Sequence, residues 1–177
     1  GLTILEHILI GTPASPLRKT LIESGLGEDL AGIGLDNDLK QGAFSTGLKG
    51  CAVDDANKIE ALVLSTLEKL AKDGIEQGMI EAAVNTIEFR LRENNTGAFP
   101  RGLMLLVRGL QTWLHGLDPV DAIAFADTLE AIKAKVAAGG YFEGLLKTYF
   151  VENAHRTTVI MRPDDKVRGE ADAKERA

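Results

Sequence analysis

The stretch from Ser15 to Gly50, SPLRKTLIESGLGEDLAGIGLDNDLKQGAFSTGLKG, constrains this chain most. It reads as a short capped helix, a glycine-loosened turn and a hairpin of two strands. Ser15 is a good N-cap, with a side-chain oxygen to accept from the first free N–H groups. Pro16 follows at the first helical position, where its missing N–H and fixed φ cost nothing. Leu17, Leu21 and Ile22 form one apolar stripe, and Gly25 takes the left-handed position that ends the Ser15–Ser24 helix. Ile33 and Leu35 then alternate with small or polar residues. Ala43–Leu48 alternates again, with Phe44, Thr46 and Leu48 on one face. Asn37-Asp38 between them is turn chemistry.

On either side of this stretch the pattern is mostly helical. Leu2–Ile10 is a helix with Leu2, Leu5 and Leu9 on one side, ended by Gly11 and Pro13. Asp54 or Asp55 caps a helix of roughly five turns to Asp73, with Ile59, Leu62, Val63, Leu67 and Leu70 inward and Gly74 as its stop. Another runs from Glu76 to Glu93 on Ile80, Val84, Ile87 and Leu91, broken by Asn94-Asn95-Thr96-Gly97. Leu103–Leu114 is apolar almost all round, which predicts a helix buried between neighbours. Asp118-Pro119 starts the next, carrying Ile123, Phe125, Leu129 and Ile132 up to Gly139-Gly140. Tyr141–Glu152 is a last helix with Phe142, Leu145, Leu146 and Tyr149 inward. Arg156–Met161 is β-branched-rich and predicts a strand closed by Pro163. The tail 164–177 is nearly all charge and alanine, the start of a helical linker.

Many helices and few strands predict an α+β domain over 1–163, helices packed on one face of a small antiparallel or mixed sheet. The 177 residues suffice for one domain with a real core, and 45% hydrophobic with 26% charged residues is a globular composition. Aromatics at 5% leave that core to Leu, Ile, Val and Ala. A net charge of −6 argues against a nucleic-acid partner. Cys51 is the single cysteine, so no internal disulfide forms and nothing requires an oxidising compartment. Apolar runs such as Leu103–Val107 are too short to span a membrane. Gly1 leads into a helical pattern with no basic segment before it, so the chain reads as a piece excised from something longer.

The motif L-x-E-S-G-L-G at a helix end, two strands, then a long helix opened by acidic residues resembles half of a domain of the pitrilysin/insulinase zinc metallopeptidases. LTILEHILIGTPASPLRKTLIESGLG and NAHRTTVIMRPDDK resemble the presequence-protease branch, in the second, non-catalytic, of its four related domains. The resemblance covers about Leu2 to Lys166. It implies a truncated domain of the processing-peptidase-like fold, whose remaining strands precede Gly1. It further implies a parent with zinc in its first domain and a chamber that encloses and cleaves unstructured peptides. The implied partners are the parent's remaining domains and its unstructured peptide substrates; separately, too few strands for a stable sheet and the apolar run Leu103–Leu114 predict that the fragment itself associates as a homo-oligomer. The implied location is intracellular, in a bacterial cytoplasm or an organelle matrix.

The residues supply no catalytic, metal or substrate-binding site of this chemistry, and no cofactor. Such a peptidase needs H-x-x-E-H on a helix, two histidines and a distant glutamate holding zinc while the motif's glutamate activates water. Here His7, His115 and His155 lie far apart, and Glu6-His7 is preceded by Leu2 and Thr3 where a histidine is needed. His7 reads instead as a helix-surface or interface residue, His115 as a helix C-terminal one, and His155 as the lead of a strand. The family's fourth domain carries an Arg and, six residues later, a Tyr on its copy of the opening motif, reaching the substrate carbonyl at the zinc. Those positions fall on Ile22 and Glu28. An alkyl chain and a carboxylate cannot donate to an oxyanion, which identifies the second domain and not the fourth.

Other motifs fail on their own terms. Gly25-Leu26-Gly27 lacks the third glycine of a phosphate loop, with Leu30 in its place. Asp36-Asn37-Asp38 starts like a calcium loop, but Lys40 and Gly47 stand where oxygen ligands are needed. Asn94-Asn95-Thr96 is a glycosylation triplet with meaning only in a secreted protein. Cys51 has no local base and reads as a buried structural cysteine. Glu88–Glu93 (EFRLRE) is a solvated helix face with i,i+4 pairing, from which Arg90 and Arg92 are free to face a partner domain. Two further readings stay open. One is a structural subunit of the same fold, as in respiratory-complex core proteins, which would lack the N-x-H-R and M-R-P-D-D ending. The other is an independent small-ligand-binding α+β domain, which a large closed pocket would favour.

Overall fold

The computed structural model describes every residue except 39, 95, 165, 168–172 and 176–177. Its centre is α1 (Leu2–Ile10), whose Ile4, Leu5, Ile8 and Leu9 are all buried. A nine-residue helix this apolar is covered on more than one side: α2 (Pro16–Glu23), α4 (Gln77–Glu93) and the strand β1 (Asp29–Asp36) all pack on it. α3 (Ala56–Asp73) lies on α2 and on α7 (Tyr141–Leu146), and contributes Ile59 and Leu67. Phe142 and Leu146 of α7 and Leu129 and Ile132 of α6 (Ala126–Ala137) complete one continuous core. The Glu143 carboxylate reaches across to accept the Ile75 N–H at 3.0 Å, which pins α7 to the α3–α4 corner.

The opening stretch folds as its punctuation implies, with one change of partner. Pro16 is the first residue of α2, and the first helical bond runs from the Lys19 N–H to the Ser15 carbonyl at 2.8 Å. The Ser15 hydroxyl, however, does not cap α2. It is buried, donates to the His7 carbonyl at 3.1 Å and accepts from the Thr12 N–H at 3.0 Å. It therefore closes the open C-terminus of α1, where carbonyls lack intrahelical donors. Gly25 has φ +68°, the left-handed conformation expected of it.

β1 pairs antiparallel with β2 (Ala43–Lys49), so the α+β fold rests on a two-stranded antiparallel sheet with its helices on one face. Phe44, Thr46 and Leu48 point toward the helices, and Leu48 joins the core. The pairing slips between Ala31 and Gly34, where Gly32 (φ +92°) and Gly34 (φ +75°) form a bulge. Ile33 is consequently thrown outward at 74% exposure instead of sharing a face with Leu35. Gly34 passes so close to α1 that a Cβ would strike the Glu6 carboxylate, which accepts the Leu35 N–H at 3.1 Å. The Asn37-Asp38 turn is closed by the Asp38 N–H donating to Asp36 Oδ1 at 2.9 Å.

Four expectations need correction. α5 (Arg101–Trp113) is a helix, but it is not buried: of its residues only Gly109 is, and among the described residues none between Leu91 and Phe125 joins the core. The helix expected from Asp118 begins at Ala126, because the Asp118 carboxylate spends itself on the Val120 N–H in a tight turn at 2.8 Å. α7 widens after Leu146 into a π-helical turn over Lys147–Val151. The extra residue rotates Phe150 inward, onto Phe44 at 5.0 Å between ring centroids, and leaves Tyr149 half exposed. Arg156–Met161 forms no strand: it has no regular secondary structure and is exposed, with Met161 at 90%. A strand needs a neighbour to take its N–H and C=O groups, and the two-stranded sheet does not reach this segment. The expected tail 164–177 includes 165, 168–172 and 176–177, which lie outside the described residues; residues 166–167 and 173–175 are helical.

Candidate functional site

Ile22 sits near the end of α2, 42% exposed, and Glu28 just ahead of β1, its N–H donating to the Lys49 carbonyl at 2.9 Å. Both side chains reach the surface where the helix hands over to the hairpin. Neither can donate a hydrogen bond to a developing oxyanion.

The three histidines stay apart. His7 lies half-buried on α1, and its carbonyl takes bonds from the Ser15 hydroxyl and the Gly11 N–H. Burial first, and then the Arg90 charge on α4, hold its imidazole below the usual histidine range, with Glu6 opposing. His115 follows the end of α5, and its N–H donates to the Thr112 carbonyl at 3.1 Å. His155 is exposed, its N–H donating to Asn153 Oδ1 at 2.8 Å. Among the described residues no three of His, Cys, Asp and Glu come together as a metal-holding group. The donor set present here does not fit a zinc site.

Cys51 is exposed, contrary to the buried role expected of it, and its thiol lies 3.7 Å from the Leu48 carbonyl. It follows Gly50, whose φ of +66° turns the chain out of β2 before the core is reached. Asn94 ends α4 in the left-handed conformation, φ +44°, with its amide oxygen buried and unpartnered; Asn95 of the same triplet lies outside the described residues. On α4, Arg92 bonds Glu88 at 2.7 Å, the i,i+4 pair read from EFRLRE. Glu88 also holds Lys133 of α6 at 2.8 Å, a cross-helix bridge the sequence does not signal. The Lys133 and Arg92 hydrogen bonds hold the Glu88 carboxyl below the usual range. Arg90 is exposed.

Two cavities are small: about 60 Å³ between Ile75, Val136 and Tyr141, and about 180 Å³ along Ile123–Asp127. Ligand pockets run roughly 300–1,000 Å³, so neither suits a small-molecule site. Among the described residues no helix is long and apolar enough to cross a membrane.

The distinctive surfaces are two bare faces. One is the helix-free side of the hairpin, where β2 presents Ala43, Ser45 and Gly47, the last with open space above it, beside the outward Ile33. The other is α5, where Leu103, Leu106, Val107, Trp113 and Leu114 are 41–75% exposed. Reading α5 as apolar all round concealed that asymmetry. The returning chain at Pro119 and Ile123 packs on the helix at Gly109, in ordinary van der Waals contact with the place a Cβ would take. Such an arrangement can pack and present surface.

The pattern of the peptidase M16 inactive domain matches residues 1–87. Across 167 residues, 93% of this chain, the sequence is 45% identical to presequence protease 1, chloroplastic/mitochondrial, of Arabidopsis thaliana. It is 35% identical over 92% of its length to the mitochondrial presequence protease of Schizosaccharomyces pombe. It is 34% identical over 91% to protein HypA of Clostridium perfringens. In each case the chain spans 16% of the relative's length.

Proposed function

Since the chain belongs to the peptidase M16 (pitrilysin/insulinase) family, in the presequence-protease branch and matching its inactive domain, we propose that it is a non-catalytic module, spanning 1–163, of a zinc metallopeptidase that degrades unstructured peptides. In the parent it packs on the catalytic domain and forms part of the wall of an enclosing chamber, with 164–177 leading into a linker. The helix-free side of the hairpin, where β2 sets Ala43, Ser45 and Gly47 in a row with open space above Gly47, suits a wall that must not grip one sequence. Zinc, two histidine ligands and the water-activating glutamate belong to residues outside this segment. The parent works in a bacterial cytoplasm or an organelle matrix, where a lone exposed thiol such as Cys51 stays reduced.

The observation that carries this reading is Ile22 and Glu28 at the surface, where a substrate-polarising pair would have to stand. By itself the module then neither holds zinc nor hydrolyses peptides. Metal analysis of the purified chain together with a peptide-cleavage assay tests this: about one tightly held zinc per chain, or turnover without added parent, refutes it.

A further inference from the structure

We infer that Glu6 is an edge stopper: by holding the Leu35 N–H, its carboxylate keeps β1 from adding a strand contributed by a second copy of this chain.

An open sheet edge offers its N–H and C=O groups to any extended segment, and in a two-stranded sheet β1 has such an edge. At three positions of β1 the N–H is instead taken by a side-chain oxygen. Leu30 donates to Asp29 Oδ1 at 2.8 Å, Ile33 to Ser45 Oγ at 3.0 Å and Leu35 to Glu6 Oε1 at 3.1 Å. The first two acceptors belong to the hairpin. Glu6 comes from α1, which packs on β1, so it reaches the strand from outside the ladder. Gly34 makes room for it, because a Cβ there would strike the carboxylate. The bulge at Gly32 and Gly34 interrupts the row of edge groups as well. A strand arriving at Leu35 has to evict a half-buried charged acceptor and leave it without its donor. The single ladder bond gained does not offset that loss.

The strand turned away is carried by this chain itself. Arg156–Met161 is rich in β-branched residues yet has no regular structure, and its Val159 and Ile160 are exposed. In its own molecule it pairs with neither strand, so its backbone groups are available to a second copy. The charges match: Arg156 and Arg162 flank the segment, and Asp29 and Asp36 stand at the two ends of β1, Asp29 shared with Lys49. What prevents this pairing is the carboxylate on the Leu35 N–H.

Residue-resolved amide hydrogen exchange on the full chain, from low to high micromolar concentration, tests this with Glu6→Ala and Glu6→Gln. In the unaltered chain, exchange at Leu35 should not depend on concentration. In Glu6→Ala the Leu35 amide should exchange about tenfold more slowly at the top of the series than at the bottom, and Val159 and Ile160 should gain protection with it. Glu6→Gln keeps an acceptor oxygen in place and should behave as the unaltered chain. Should Glu6→Ala fold poorly by circular dichroism, Gly34→Ala evicts the same carboxylate from the strand side and should give the same concentration dependence. Exchange at Leu35 that is independent of concentration in a folded variant lacking the contact overturns the inference. So does protection that falls on β2 or on α5 while β1 and Arg156–Met161 stay unprotected. Pairing in Glu6→Gln as strong as in Glu6→Ala also overturns it, because the taken N–H is then not what excludes the strand.

Discussion

Gly25 and Gly34 both sit at positive φ, +68° and +75°, and the structure separates what each glycine is for. At Gly25 nothing lies within 4 Å of a would-be Cβ, so an L side chain there meets only the intrinsic penalty of the left-handed region. That penalty is about 1–2 kcal/mol, partly offset because alanine also restricts the unfolded chain. Gly25→Ala should therefore cost about 1 kcal/mol, and β-branched Gly25→Val more than that. Gly34→Ala carries the same backbone term, and its methyl also evicts the Glu6 carboxylate from its place on the Leu35 N–H. A hydrogen bond to a charged group in a half-buried site adds about 1–2 kcal/mol, giving about 2–3 in total. Urea denaturation of the single variants, with Glu6→Ala and the Gly34→Ala/Glu6→Ala double variant, closes the cycle. Once Glu6 is gone, Gly34→Ala should cost no more than Gly25→Ala. If the two alanine variants are equally stable with Glu6 intact, the bulge is not held by this carboxylate and the reasoning is wrong.

Phe142, 1% exposed, should lose about 3–5 kcal/mol on truncation to alanine, while Phe89→Ala, at 63% exposure, should stay within about 0.5 kcal/mol of the parent chain by the same urea assay. His7 is held below its usual range, mainly by burial and then by Arg90, so below that range the unfolded chain takes up a proton the folded chain refuses. Stability should accordingly fall as the pH drops from about 7 toward 5, and His7→Gln should flatten that slope; an unchanged slope removes His7 from the explanation. With α5 uncovered, the chain alone should self-associate weakly, as light scattering across a concentration series would show. A strict monomer at high micromolar concentration counts against that expectation.

Several locally punctuated elements were legible in the sequence. Pro16 starts α2, Gly25 and Gly74 end helices at positive φ, and the alternation from Ala43 to Leu48 is β2. What escaped depends on partners distant in the chain. Nothing in Ser15 says that its hydroxyl prefers the His7 carbonyl to its own helix. Nothing in the run Ala31–Leu35 says that Glu6, one helix away, will take the Leu35 N–H and leave Ile33 outside. The π-helical turn that exchanges Tyr149 for Phe150 is likewise decided by Phe44 in β2. For the candidate site, what Ile22 and Glu28 are unable to donate is a matter of residue type, which the sequence states directly. The α5 face was not legible in this way, because apolarity states a demand for burial and not whether this chain supplies the cover.

α5 and Arg156–Met161 share that logic, which is why both expectations failed together. Each segment has the propensity for its element: α5 forms its helix because helical hydrogen bonds are internal, and it needs a neighbour only for its side chains. A strand's hydrogen bonds are external, so Arg156–Met161 needs a neighbour even to become a strand, and stays irregular without one. The core from α1 to α7, by contrast, closes on itself: Leu5, Leu9, Leu17, Leu21 and Leu146 are all fully buried using only residues of this chain. The buried core and the exposed apolar face are thus carried by different segments. A substitution at an exposed position of α5 such as Leu106 should therefore leave the stability of the module nearly unchanged in a urea titration, whereas one at Leu5 or Leu9 of α1 should lower it by about 2–5 kcal/mol.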